Sequence, residues 1–183
     1  MFEKLWKYAI TRFLVWHSRF RQPAEPVSFR TVVTDAARIL VFLHDSIGHE
    51  TLASMLDRLK SRFPKSIFEF MVTESFAPDY LHFIESQGFE VHIIRKTDVN
   101  FFRIIKKHKI RPLRQKQFDL VLDMGPRFDI TFAHLFRACD ARLVAGMMSP
   151  GHPDTFYNVL VKTGESGWQP HTLLDCLSKL RTC

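Results

Sequence analysis

Between residues 38 and 147, short and nearly continuous apolar runs alternate with stretches of helical periodicity, and few folds accommodate that pattern. Ile39-Leu40-Val41-Phe42-Leu43 has no polar position at all. A strand with one solvated face alternates apolar and polar residues, whereas a strand of a parallel sheet covered on both sides does not. Similar runs at Ile67 to Thr73, Glu90 to Arg95, Phe118 to Asp123 and Ala141 to Met147, and a shorter one at Tyr157 to Lys162, predict about six strands. Between them, helical spacing predicts helices over Glu50 to Arg62, Ala77 to Gln87, Val99 to His108 and Ile130 to Ala138, with a closing helix from Thr172 to Leu180. Gly88 stands where a helix stop is preferred. The expected fold is α/β: a Rossmann-like, doubly wound, mainly parallel sheet in three α/β/α layers.

A chain of 183 residues, 46% hydrophobic and 25% charged, can bury one core without disulfides or metal. Cys139, Cys176 and Cys183 are odd in number and share no metal-ligand spacing, so neither a disulfide framework nor a zinc site is expected, and the simplest setting is a reducing cytoplasm. Pro23 and Pro26 separate an amino-terminal segment, residues 1–27, from a single domain over residues 28–183. In that segment Phe2, Leu5, Trp6, Ile10, Phe13, Trp16 and Phe20 recur at helical steps, with Lys4, Lys7 and Arg12 mainly off the stripe. The charges interrupt it too often for a spanning helix, and no cleavable signal is evident. Two readings stand: a helix lying in the plane of an anionic membrane surface, and a helix packed on its own domain or on a partner protein.

In an open parallel sheet, ligands gather at the carboxyl ends of the strands where strand order reverses. The turn after the first strand, His44-Asp45-Ser46-Ile47-Gly48-His49-Glu50, has a single glycine. Neither the dinucleotide fingerprint nor the phosphate loop of nucleoside triphosphatases is present, so no bound nicotinamide or nucleotide cofactor is expected. Ser46, Gly48 and Glu50 in this turn, with Asp123 and Gly125 after the fourth strand, are the candidate ligand contacts. His152 and Asp154, beyond the fifth strand, are placed to join His44, Asp45 and His49 in one mouth, though without zinc spacing.

Three stretches carry a family likeness: Arg38-Ile-Leu-Val-Phe-Leu-His-Asp-Ser-Ile-Gly-His-Glu, Leu59-Lys-Ser-Arg-Phe-Pro-Lys-Ser-Ile-Phe-Glu-Phe-Met-Val and Phe118-Asp-Leu-Val-Leu-Asp-Met. Together they resemble the amino-terminal half of heptosyltransferases, the bacterial lipopolysaccharide-core enzymes of glycosyltransferase family 9. Short bacterial proteins made of this half-domain alone are similar too. The resemblance implies two Rossmann-like domains facing across a cleft, of which this chain has room for the acceptor-side one. It also implies a base just after the turn glycine. The family usually carries an aspartate there and this chain carries His49, which is the candidate catalytic residue; the alternative is a surface histidine at a helix start.

The net charge of +7 favours anionic partners. Nine of the 26 basic residues fall between Arg95 and Lys116, among them Arg103, Lys106 and Lys107, interleaved with Phe101, Phe102, Ile104 and Ile105. The segment reads either as a helix with a solvated basic face or as a contact for an anionic membrane or glycolipid, a better fit than nucleic acid because the amino-terminal segment has the same character. Two functions are therefore expected as alternatives. One is a non-catalytic module binding a membrane surface, an anionic glycolipid or a partner protein. The other is a glycosyltransferase subunit that uses a donor domain on another chain.

Overall fold

The computed structural model describes residues 28–148, 156–162 and 169–182. The predicted amino-terminal helix with Lys4, Lys7 and Arg12, and the pair His152 and Asp154, lie outside the described residues. Six strands form among these residues: β1 (Arg38–Phe42), β2 (Ile67–Thr73), β3 (Glu90–Ile94), β4 (Leu120–Asp123), β5 (Leu143–Met148) and β6 (Val159–Lys162). They make one sheet in the order β3-β2-β1-β4-β5-β6, and every pairing is parallel. The chain winds outward from β1 in one direction, then returns and winds outward from β4 in the other. The reversal of strand order therefore falls between β1 and β4.

Among the described residues six α-helices accompany the sheet: α1 (Phe29–Asp35), α2 (His49–Arg62), α3 (Pro78–Ser86), α4 (Lys107–Gln115), α5 (Ile130–Ala138) and α6 (Pro170–Thr182). Alternate strand residues feed two separate cores. Ile39, Val41, Phe70, Val72, Leu120 and Leu122 pack under α1, α2, α3 and α6, whereas Leu40, Phe42, Met71 and Val121 pack under α4 and α5. This is the three-layer arrangement that all-apolar strands require, because each strand buries both faces.

Local chemistry fixes the helix limits. In α2 the buried residues Leu52, Met55, Leu56 and Leu59 form one stripe, with Glu50 in the first turn and Lys60 and Arg62 in the last, each charge on the favourable end of the helix dipole. Pro78 opens α3 and Gly88, with φ of +82°, follows its end in the left-handed region. Asp129 caps α5 by accepting from the Thr131 amide at 2.7 Å.

The helix predicted over Val99 to His108 is corrected by the structure. Lys96–Asp98 is a single 3₁₀ turn, Val99 and Ile105 make an isolated antiparallel bridge, and the α-helix begins only at Lys107. Asn100 is the physical reason. Its side-chain oxygen accepts from the amides of Phe102 and Ile104, both at 3.0 Å, and so competes with helical bonding for those donors. Among the described residues no helix is long and apolar enough to cross a membrane.

Candidate functional site

An open cleft of about 260 Å³ lies at the carboxyl ends of β1, β2 and β4, at the reversal of strand order. Phe42, His44 and Asp45 come from the end of β1, Thr73 and Ser75 from the end of β2, and Asp123, Arg127, Phe128 and Asp129 from the end of β4. Phe132 of α5 closes one side, its ring stacked on Phe42 at 4.0 Å between centroids.

Asp123 is buried at the cleft floor. Parallel pairing places Phe42, Asp123 and Gly146 in one row across β1, β4 and β5. A side chain at position 146 would have its Cβ only 2.7 Å from the Tyr157 ring, so glycine is what lets that ring cross β5. The Tyr157 hydroxyl then donates to Asp123 Oδ2 at 2.5 Å. On the other side Gly125 N–H donates to Asp123 Oδ1 at 2.9 Å, and a Cβ on Gly125 would stand 3.0 Å from that same oxygen. Burial pushes the Asp123 carboxyl up to about 6. The bonds from Tyr157 and Gly125 act against this shift, and the nearby charge of Asp129 adds to it. Burial, followed by the charge and hydrogen bond of Asp123, drives the Tyr157 phenol far above its ordinary value.

The rim is a polar relay. Nδ1 of His44 stands 2.8 Å from Asp45 Oδ1, 2.9 Å from Ser46 Oγ and 3.2 Å from the Ser46 amide nitrogen. One ring nitrogen cannot donate and accept at once. With a proton Nδ1 donates to Asp45, and without one it receives the Ser46 amide. Asp45 Oδ2 in turn accepts from Ser75 Oγ at 3.1 Å, and Ser75 Oγ lies 2.7 Å from Thr73 Oγ1. Asp129 is paired with Arg103 at 3.0 Å, while Arg127 is exposed and has no ion-pair partner among the described residues.

The structure brings together some of the residues singled out in the sequence. Asp123 lines the cleft, Gly125 shapes its floor and Ser46 reaches it through His44. Gly48, the residue before α2, has open space around a Cβ, and Glu50 is exposed in the first turn of α2; neither lines the cleft. His49 does not line it either. It is exposed, with its ring 5.7 Å from that of Tyr80 and 5.1 Å from that of Phe83 on α3. Arg103 holds Asp129, and Lys106 and Lys107 are exposed at the start of α4. Sequence reasoning missed Thr73, Ser75 and Arg127. Their shared signal is position, since each lies at or just after the carboxyl end of a strand at or near the reversal point.

A second polar cluster lies away from the cleft. Glu69, Glu90 and His92 bring ligand atoms within 4.8 Å of one another, a spacing open to a metal ion. Lys116 Nζ stands 2.6 Å from both carboxylates and supplies the positive charge there itself. Cys139 is buried, and burial pushes its thiol up to about 12, as expected of a packing residue.

No family model and no curated relative matches the sequence. Among solved structures the chain is similar to the heptosyltransferase WaaC of E. coli, solved with ADP, at 20% sequence identity and a TM-score of 0.51. The match covers 78% of this chain and 46% of that one, so this chain spans about half the length of the enzyme. At that identity the likeness is one of fold: a Rossmann-like, glycosyltransferase-like α/β domain resembling half of a family 9 enzyme.

Proposed function

We propose that this chain is a binding module that holds the sugar headgroup of an anionic glycolipid in the cleft at the carboxyl edge of the sheet. The observation that carries the reading is the mixed lining of that cleft: hydroxyls of Thr73 and Ser75, the acid of Asp45, the imidazole of His44 and the rings of Phe42 and Phe132, with Arg127 at the rim. Hydroxyl-rich ligands use donors, acceptors and an apolar ring face together, and a guanidinium adds recognition of phosphate or carboxylate. The chain's net charge of +7 supports an anionic partner.

The test is a thermal-shift and calorimetric panel of phosphorylated sugars, deacylated anionic glycolipid headgroups, nucleotide sugars and inorganic phosphate. A phosphorylated glycan is expected to bind, and Arg127→Ala to weaken it at least about tenfold through loss of a charge-assisted hydrogen bond. Binding of phosphate alone, or of no glycan, overturns the reading.

The likeness to a heptosyltransferase supports a second reading, a glycosyltransferase subunit that transfers a sugar from a nucleotide sugar with a donor domain on another chain. That reading places Ser46, Gly48 and His49 around the acceptor. Loss of transfer in His49→Ala at unchanged folding supports it, and intact transfer removes His49 from the mechanism.

A further inference from the structure

Among the described residues three carboxylates line the cleft, and two of them are already answered by the protein. Asp129 accepts from Arg103 on one oxygen at 3.0 Å and from the Thr131 amide on the other at 2.7 Å. Asp45 has His44 Nδ1 2.8 Å from Oδ1 and the Ser75 hydroxyl 3.1 Å from Oδ2. Asp123 differs from both. The Tyr157 hydroxyl and the Gly125 amide fix its orientation, but both donors are neutral, and among the described residues no cation pairs with it. Each of its oxygens keeps a lone pair beyond those bonds.

A buried carboxylate is hard to ionise until a positive charge arrives beside it. Elsewhere in the sheet a lysine supplies that charge, with Lys116 Nζ 2.6 Å from Glu69. At Asp123 the open side is the cleft itself. Phe42, its register neighbour on β1, stacks on Phe132 beside it and offers the ring face that an ammonium also favours. At the exposed rim, Arg127 has no ion-pair partner among the described residues. The lining is therefore polarised, with an acid that needs a cation at the floor and a cation that needs an anion at the rim.

We propose that the sugar this cleft takes is an amino sugar bearing a phosphate, its ammonium set on Asp123 and its phosphate on Arg127. The inference rests on the cleft reading proposed above and narrows its ligand. A sugar hydroxyl or an N-acetyl group fills a lone pair of Asp123 and leaves its charge unanswered; a primary ammonium does both.

Burial holds the Asp123 carboxyl at about 6, so an ammonium that binds below that pH must first displace a proton. The other charged or titratable groups around Asp123 are Tyr157 before β6, His44 and Asp45 after β1, and Arg127 and Asp129 after β4, with Arg103 on Asp129; α5 contributes only the apolar Phe132. These groups meet every sugar phosphate alike, so the ratio of two affinities cancels their titration.

Calorimetric titration of the full chain with glucosamine 6-phosphate, N-acetylglucosamine 6-phosphate and glucose 6-phosphate at pH 5 and pH 7 tests the assignment. At pH 7 glucosamine 6-phosphate should bind about tenfold or more tighter than the other two, as one added charge-assisted hydrogen bond requires. At pH 5 that preference should fall about tenfold. Asp123→Asn should bring the three affinities at pH 7 within about threefold of one another, and Arg127→Ala should weaken all three alike. Carbon-detected NMR of Asp123 in the parent reads the same point without a substitution: glucosamine 6-phosphate at saturation should move its titration below about 6, and glucose 6-phosphate should not. Equal affinities at pH 7, a preference that survives Asp123→Asn, or an Asp123 titration unmoved by the amine overturns the inference. Sugar phosphates that bind without regard to the amine leave the cleft reading standing, whereas binding of none of them overturns both.

Discussion

Two acids are buried against the same face of the sheet, and their surroundings differ. Glu69 in β2 is 2% exposed and Asp123 at the end of β4 is 5% exposed. Around Glu69 stand Arg38 at 3.1 Å, His92 at 2.7 Å and Lys116 at 2.6 Å. Around Asp123 stand a phenol and a backbone amide, and no cation among the described residues. The Glu69 cluster is a compensated ion network. Its bond from Lys116 is the leading cause that holds Glu90 below the ordinary carboxylate range. Lys116 is itself raised, because its bonds to Glu69 and Glu90 outweigh a burial that alone would lower it. Such a network fixes strand register, tying β1, β2 and β3 to the end of α4. An acid buried without a cation does the opposite: it resists ionisation, and it sits where ligands bind.

The sharpest way to break this contrast is to neutralise Glu69. Glu69→Gln leaves three cationic or protonatable groups facing an amide, and should cost about 4 kcal/mol of unfolding free energy in urea melts. A loss under about 1 kcal/mol would show that the network is decoration, with Glu69 no more compensated than Asp123.

Asp123→Asn should have a smaller effect, of opposite sign and dependent on pH. The folded value of about 6 lies above the ordinary 3.8. Between these values the folded chain keeps a proton that the unfolded chain has released. The stability this gives is complete below about pH 3.8 and lost as pH rises through about 6. Asp123→Asn lacks that loss, so relative to the parent it should gain about 3 kcal/mol between pH 3 and pH 8, read from paired melts across pH. Asp98 bends the absolute profile the other way: bonds from Arg95 and His108 and the charge of Lys109 overcome its burial and lower it. Only the difference between variant and parent isolates Asp123. A flat difference across that range would sink the assignment.

Tyr157→Phe should have the smallest effect, about 1 kcal/mol, because it removes one donor while the ring still covers Gly146. The remaining carboxyl should titrate above about 6, followed by carbon-detected NMR of Asp123. A downward shift would mean that Tyr157 does not stabilise the ionised form.

The sheet was legible because burial on both faces demands all-apolar strands, and residues 39 to 43 obey that demand without knowledge of their neighbours. The segment after β3 was misread because periodicity is blind to Asn100, whose side chain outbids the helix for two amides. At the site, Asp123 and Gly125 could be found from their place at a strand end. The Tyr157 bond could not, since it depends on two strands of separate sequence and on the missing side chain of Gly146 between them. The cations around Glu69 were hidden for the same reason: Arg38, His92 and Lys116 become its neighbours only once the strand order is known.

Tyr157 leads directly into β6, which among the described residues is an edge strand paired with β5 alone, and its hydroxyl reaches past β5 to a carboxyl on β4. The sheet is therefore stitched at that corner across a strand as well as along one. Peeling β6 away must break a bond to β4 along with the ladder to β5, so the rate at which the β6 amides exchange with deuterated water reports on the protonation and occupancy of a cleft two strands distant.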